Sequence, residues 1–548
     1  MNIFKKHTPE IIFVFFSLIF SFWLMFSTFS YENGSMLVAS KAWSDFASHI
    51  PLIRSFSFGA NFPPEYPLFS GEPIRYHFLF YLLVGLIEKV LPINWALNLP
   101  SSLSFFFLLI MIYSLSLLIF KKRFVAIVSV FLFVFNGSLS FVYFFQKNPL
   151  SFPKSLFDII DNNIFPAFAP YDNTFISGGF WNLNVFTNQR HFALPLAVII
   201  FIIYLLTKNE IEKKSLGIKV ALIFGIIIGS FSFLHGAVFI MSIALLSFLF
   251  VLFPFQRKSI IIIGFVAFIT SFPRMLFLFH VESNQLFKFN PGYLLVNDFS
   301  LFKWGRYWLL NLGLGALLGP IGFIFAAKIA KKIFIAFLVL FAVGNLFQFS
   351  PDIATNHKFF NLWLIIFNMF TAYSLYLIWK GNLFKKSVVF ILLFFLTFSG
   401  IIDFFPIKND LLYRIDDFPK NSDIKWIIDN TPKNSVFLNT SYLYNPANIA
   451  GRKIFLGWPY FSWSLGYNTY QRDETRKKLF NSTEVKKFCN QTKNYGINYV
   501  MVEPVQDLDF SVNKEFFENY FKKSYHNSQT GFSIYNVEQT CQNNSLKI

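Results

Sequence analysis

Asp45 and His49 stand four residues apart in the stretch "WSDFASHIPLIRSFSFGANFPPEYPLFSGEPIRYHF", residues 43–78. On a helix that spacing puts both on one face. Phe46, Ile50, Ile53 and Phe56 fall on much of the other side. Such a helix could lie flat at the outer leaflet and present Asp45 and His49 to a cavity between the spans. Glu65 follows in "NFPPEYP" as a second acidic candidate, where the paired prolines hold the chain extended. Arg75 and His77 then sit at the mouth of the next apolar run, with Tyr76 between them. A charge beside a membrane is costly without a partner or a task. The plainer reading is that these groups anchor a loop at headgroup level. One Asp–His pair is too small a ligand set for a metal, and no Cys/His cluster has zinc spacing.

Further cations and imidazoles mark the starts of later apolar runs. "NQRHFALP" carries Arg190 and His191, "SFLHGAVF" carries His235, and "DIATNHKFFNLW" carries His357 and Lys358 after Asp352 and Asn356. Helix N-termini favour anions, so this set, with Arg75 and His77, reads as phosphate-binding. The competing explanations are interfacial snorkelling by Arg190 and Lys358 and a packed or capping role for His235. Arg274 in "SFPRMLF" lies inside an apolar run. "SGGFW" at 177–181 reads either as a mobile aromatic lid or as an ordinary connection.

The elements that must position these residues are membrane helices. The chain has 548 residues, of which 55% are hydrophobic, 81 are phenylalanine and only 14% are charged, against about 25% charged in a soluble domain. Apolar stretches near the length of a membrane span recur through residues 1–405, and lipid-embedded backbone must satisfy itself, which favours helices. The formal charge is +18, but the cations fall in short runs between spans, such as "KKR" at 121–123 and "KIAKK" at 328–332. That is the pattern of cytoplasmic loops, and it argues against a nucleic-acid partner. Eleven to thirteen spans are expected, with the N-terminus cytoplasmic, outer loops at 30–75 and 146–190, and residues 191–405 crossing repeatedly. Residues 11–29 read as a retained signal anchor. The stretch 76–120 is broken by "EKVLPINW", so one of its two apolar pieces is expected to be short, tilted or re-entrant.

Polarity rises sharply after residue 405. Residues 406–548 read as a small α/β or α+β extracytoplasmic domain, from alternating strand and helix signals. Cys489 and Cys541 both lie there; outside the cell a disulfide between them is allowed, and the sequence leaves pairing open. No Gly-rich phosphate loop, G-x-S-x-G or H-E-x-x-H is present.

An outward first span, a long outer loop bearing an aspartate on a juxtamembrane helix, a Pro-rich segment, further spans and an outer tail follow one another. This order resembles the GT-C superfamily of polytopic glycosyltransferases. "DFASHIPLIRSFSFGANFPPEYPLFSGEPIRYHF" and "NHKFFNLWL" resemble segments of uncharacterised prokaryotic mannosyltransferase-like members. The resemblance implies an inverting enzyme of the plasma membrane. It would move a sugar from a polyprenyl-phosphate donor to an extracytoplasmic lipid, glycan or protein acceptor. Asp45 matches the first-loop aspartate of such enzymes, and Glu65 a second acid. The usual acidic diad is absent, since Ser44 and Phe46 flank Asp45. No cofactor is assigned and no residue is assigned to a metal, with divalent-metal use left open. The alternatives are a transporter or flippase of a lipid-linked glycan precursor, or a non-catalytic membrane scaffold.

Overall fold

The computed structural model describes residues 2–279, 287–504 and 511–545. They form two compact units. One comprises residues 1–28 and 98–411, the other residues 29–97 and 412–548.

The first unit is helical and apolar. Seven helices of the described chain are long and apolar enough to cross a membrane: Thr8–Thr28, Ile93–Phe120, Ala193–Ile211, Pro254–Leu278, Lys328–Leu346, Ile353–Trp379 and Leu383–Lys408. A further pair, Leu301–Leu312 and Gly315–Phe325, passes the same test together but bends by 85° at its break. Three shorter apolar helices, Arg123–Val134, Ile218–Leu234 and Gly236–Leu252, belong to this unit, and a fourth, Leu79–Glu88, belongs to the second; the chain is polytopic and α-helical in design. The expected break in residues 76–120 is real. Leu79–Glu88 has 10 residues, about 15 Å of helix at ~1.5 Å per residue, half the ~30 Å apolar core. It cannot cross by itself, whereas Ile93–Phe120 can.

Close helix packing in this unit is written in small residues. Gly225 and Gly229 lie one turn apart on Ile218–Leu234 and face the Arg257–Phe279 helix. A Cβ on either would come within 2.5 Å of Val266 Cβ or Thr270 Cβ. With no hydrophobic drive between helices in lipid, this backbone approach is what makes the pair associate.

The second unit is α+β. Phe29–Glu32 and Ser35–Ala39 form a hairpin whose turn, Asn33-Gly34, has φ of +48° and +75°, the geometry that favours Asn-Gly. Leu412–Asp416 adds antiparallel to its second strand, completing a three-stranded sheet. The helix Trp43–Ser57 follows the hairpin. The tail builds a five-stranded mixed sheet in the order Lys453–Ile454, Val436–Leu438, Tyr499–Val502, Ser533–Asn536, Lys522–His526. The first three strands pair parallel and the last three antiparallel. Cys489 and Cys541 are joined in a disulfide, with Cα atoms 5.5 Å apart.

A buried ion triad ties the early and late parts of this unit together. Arg54 Nε is ion-paired with Glu88 Oε1 at 2.8 Å, and its Nη2 donates to Asp417 Oδ2 at 2.7 Å, all three side chains being nearly inaccessible. Ser57 Oγ donates to Glu88 at 2.5 Å, and Tyr31 Oη donates to Asp417 at 3.3 Å.

Candidate active site

The candidate residues fall into two sets, one in each unit. The first is organised by Trp43–Ser57. The segment is helical and buried on all sides beyond its first turn: Phe46, Ala47, Ile50, Leu52, Ile53 and Phe56 are buried, and so are His49 and Arg54. Asp45 lies in the first turn of this helix and is half-buried. The helix dipole favours a carboxylate there. His49, one turn on, is buried, with its ring 4.8 Å from that of Tyr81 and 6.5 Å from that of Tyr76. The Asp45 carboxylate makes itself felt at the hydroxyls of Tyr76, Tyr81 and Tyr444. The Tyr76 phenol is pushed up first by burial and then by Asp45, so it stays neutral and able to donate. Asp45 is thus a carboxylate among phenols. This surround could hold a hydroxyl acceptor beside the oxygen that removes its proton.

Glu65 and Arg75 occupy the loop that follows. Glu65 is half-buried and braced: Oε2 accepts from Lys453 Nζ at 2.7 Å and from Gly71 N at 3.2 Å, and its backbone N–H donates to Asn61 Oδ1 at 2.9 Å. Arg75 lies over the Tyr467 ring at 4.2 Å, donates to the Gly466 carbonyl and stands 3.6 Å from Glu72. Its backbone N–H donates to Tyr467 Oη at 2.9 Å. His77 is half-buried against the Tyr76 ring, centroids 3.7 Å apart.

The second set lies in the helical unit. His191 and His235 face each other with ring centroids 5.1 Å apart, and His235 also packs on Phe192 at 4.9 Å. His235 fills the break between Ile218–Leu234 and Gly236–Leu252 in extended conformation, φ −167°. His357 opens the helix His357–Trp379. Its Nδ1 is 2.7 Å from Asn361 Oδ1, one turn on, and its ring stacks on Phe180 at 4.8 Å. Lys358, half-buried, lies in electrostatic range of both His235 and His357. Three imidazoles and an ammonium are therefore grouped, an arrangement suited to an anion.

Arg190 is placed differently from its neighbours. It is buried, and its guanidinium donates to Thr187 O at 2.7 Å, Met25 Sδ at 2.7 Å, Met25 O at 3.1 Å, Thr28 Oγ1 at 2.7 Å and Asn98 Oδ1 at 3.2 Å. Burial pushes its pKa down to about 9, so it stays charged at neutral pH. These bonds staple the 187–190 turn to the C-terminal end of the first span.

The "SGGFW" segment is a packed connection. Ser177 N and Trp181 Nε1 both donate to Asn311 Oδ1, at 2.9 Å and 2.7 Å, and Ser177 Oγ lies 2.7 Å from Tyr307 Oη. A Cβ at Gly179 would meet the Phe168 ring. Arg274 is buried over Phe277 at 5.3 Å. Sequence reasoning missed Tyr81, Tyr444, Asn361 and the buried Asp403. Asn361 carried a signal, four residues after His357 on one helix face. Tyr444 carried none, being far along the chain from Asp45.

No protein-family model and no curated protein matches the chain. Among solved structures it is similar to the apo oligosaccharyltransferase of Archaeoglobus fulgidus, with a TM-score of 0.54 at 11% identity, over 98% of this chain and 75% of that one. It is similar too to the mycobacterial arabinofuranosyltransferase AftD, in its R1389S mutant, with a TM-score of 0.54 at 12% identity, over 96% of this chain. There it spans only 41% of the neighbour's length. Both neighbours are GT-C membrane glycosyltransferases, and the fold of this multi-pass chain is theirs.

Proposed function

We propose that the chain is an inverting glycosyltransferase that uses a polyprenyl-phosphate-linked sugar and an extracytoplasmic hydroxyl acceptor. The observation that carries this reading is Asp45: a half-buried carboxylate in the first turn of a helix, among phenols, in a chain with the GT-C fold. The base removes the acceptor proton as the oxygen attacks the anomeric carbon. The carbon–oxygen bond to the phosphate breaks on the opposite side, which inverts the centre. The departing lipid phosphate carries negative charge, which the grouped His191, His235, His357 and Lys358 are suited to stabilise. Arg75 and His77 are the phosphate-binding candidates of the α+β unit. Glu65 and Arg190 support it by holding their loops, through Lys453 in one case and Met25 and Thr28 in the other. His49 orients the helix face that carries Asp45 by packing on Tyr81.

The transport alternative draws on the 85° break between Leu301–Leu312 and Gly315–Phe325 and on Asp403, buried within the last span. One experiment separates the two. Purified protein in nanodiscs is incubated with a panel of radiolabelled polyprenyl-phosphate sugars, wild type beside Asp45→Asn. Sugar transfer or release by wild type, reduced roughly 100-fold in the variant, is the expected result, a general-base magnitude. Equal rates in both would remove Asp45 from the chemistry. Movement of intact labelled lipid across the bilayer without release would favour transport.

A further inference from the structure

One loop by which the tail of the α+β unit reaches the first turn of the Asp45 helix is residues 439–445. Glu503 is buried behind this loop and accepts five hydrogen bonds from it. Thr440 N and Oγ1 donate to Oε2 at 2.9 Å each and Ser441 N at 2.7 Å; Asn445 Nδ2 donates to Oε1 at 2.7 Å, and Ser441 Oγ donates there too. Glu503 N returns a bond to Thr440 Oγ1 at 2.9 Å. Asn439 adds two more ties, from Nδ2 to Ser441 O and to Leu456 O, both 2.7 Å. The loop is fastened on either side of residues 442–444.

Tyr444 is what this fastening presents. Its φ is +47°, left-handed backbone that a bulky aromatic residue adopts only when its surroundings force it. Its Oη donates to Trp43 O at 2.6 Å, and its ring lies 4.1 Å from the Trp43 ring. Tyr413 closes on Trp43 edge-on at 5.0 Å. Trp43 opens the helix, and Asp45 is two residues on. Asp45 in turn acts on the Tyr444 phenol, whose pKa is raised by burial and then by that carboxylate. Other titratable groups around Asp45 include Tyr76 and Tyr81, with Lys41 and His49 one turn before and after it in the chain.

We propose that Tyr444 is a positioning residue for Asp45, and that the Glu503-fastened loop holds it in place. The tail would then complete the first-loop chemistry by fixing where the base stands. A misplacement of ~1 Å in a reacting group can cost about 100-fold in rate, which is reason enough to keep a strained tyrosine. This inference rests on the assignment of Asp45 as base, but its first test does not need turnover.

In that test, full-length protein in nanodiscs is labelled at carboxylates with carbodiimide and glycine ethyl ester across a pH series. Incorporation at Asp45 is read by peptide mass spectrometry. Tyr444→Phe, which keeps the ring on Trp43, is expected to shift the Asp45 labelling midpoint by about half a pH unit or more. Tyr444→Ala and Glu503→Gln should also change the rate. Curves that superimpose on wild type for both tyrosine variants, in protein with an unchanged thermal midpoint, would overturn the proposal. In the second arm, undecaprenyl-phosphate-[14C]mannose serves as donor probe within the sugar panel. Where a panel member is turned over, Tyr444→Phe should lower kcat about 10-fold or more with KM within ~2-fold, and should add nothing in the Asp45→Asn background. A labelling shift with no sugar transferred by any protein sinks the transferase reading and leaves the positioning role standing. Transfer that proceeds with kcat and labelling both unmoved sinks the positioning role alone.

Discussion

Arg54 and Arg190 are both buried guanidinium groups, one in each unit, and the chain treats them in opposite ways. Arg54 is clamped between the carboxylates of Glu88 and Asp417. The partners named above for Arg190 are a carbonyl pair, a thioether, a hydroxyl and an amide, none of them charged. A buried cation held by carboxylates is a structural device whose loss strands its anions. One held by neutral acceptors keeps more of its field, and its loss strands only groups that are cheaper to leave unmet. Arg54 thus spends its charge on the integrity of the α+β unit, while Arg190 sits just ahead of the Ala193–Ile211 span.

The sharpest way to break this contrast is Arg54→Met. Two buried carboxylates would lose their common cation, at a cost of about 3–5 kcal/mol. The thermal midpoint and yield of the detergent-purified protein should fall steeply; an unchanged midpoint would show that the triad is dispensable. A somewhat smaller effect is expected at Glu503. Burial, offset in part by the Ser441 and Thr440 donors, raises its pKa from 4.5 to about 7. Between those values the folded state holds a proton that the unfolded chain has released. Its contribution is complete below the unfolded value and is lost as pH rises through 7. The span is worth about 3 kcal/mol at ~1.4 kcal/mol per pH unit. Thermal melts from pH 4.5 to 7.5 should therefore decline less in Glu503→Gln than in wild type. Arg190→Met should cost about 1–3 kcal/mol, the scale of unmet neutral acceptors, with transfer activity falling further than stability. A loss as large as that of Arg54→Met would erase the distinction between the two arginines. The smallest effect belongs to Glu65→Gln, since the Lys453 bridge is partly exposed and such pairs contribute about 0–1 kcal/mol.

Periodicity made the Asp45 helix, the apolar spans and the break at 88–95 legible in the sequence. Composition alone marked the tail as different, and the alternating strand and helix signals there correspond to strands at 436–438, 499–502 and 533–536. What stayed hidden are relations between distant residues. Arg54 lay in the quoted segment, yet nothing local says that Asp417, 363 positions away, neutralises it. The Tyr444–Trp43 bond spans 401 positions. The Asn33-Gly34 hairpin lay within what read as an outer loop, and its sheet is finished only by Leu412–Asp416. Likewise, composition left "SGGFW" open between a mobile lid and an ordinary connection, and the bonds to Asn311 and the packing on Phe168 make it the latter.

That late-arriving strand has a consequence for biogenesis. Ser35–Ala39 pairs with Leu412–Asp416, so its outer edge stays open while the intervening helices are made and inserted. At ~5–20 residues per second the ribosome needs roughly 20–75 s to supply the partner. Throughout that interval the newborn hairpin presents bare backbone donors and acceptors, the kind of edge that recruits other chains. Within the chain itself, that edge is covered only once the tail has been made.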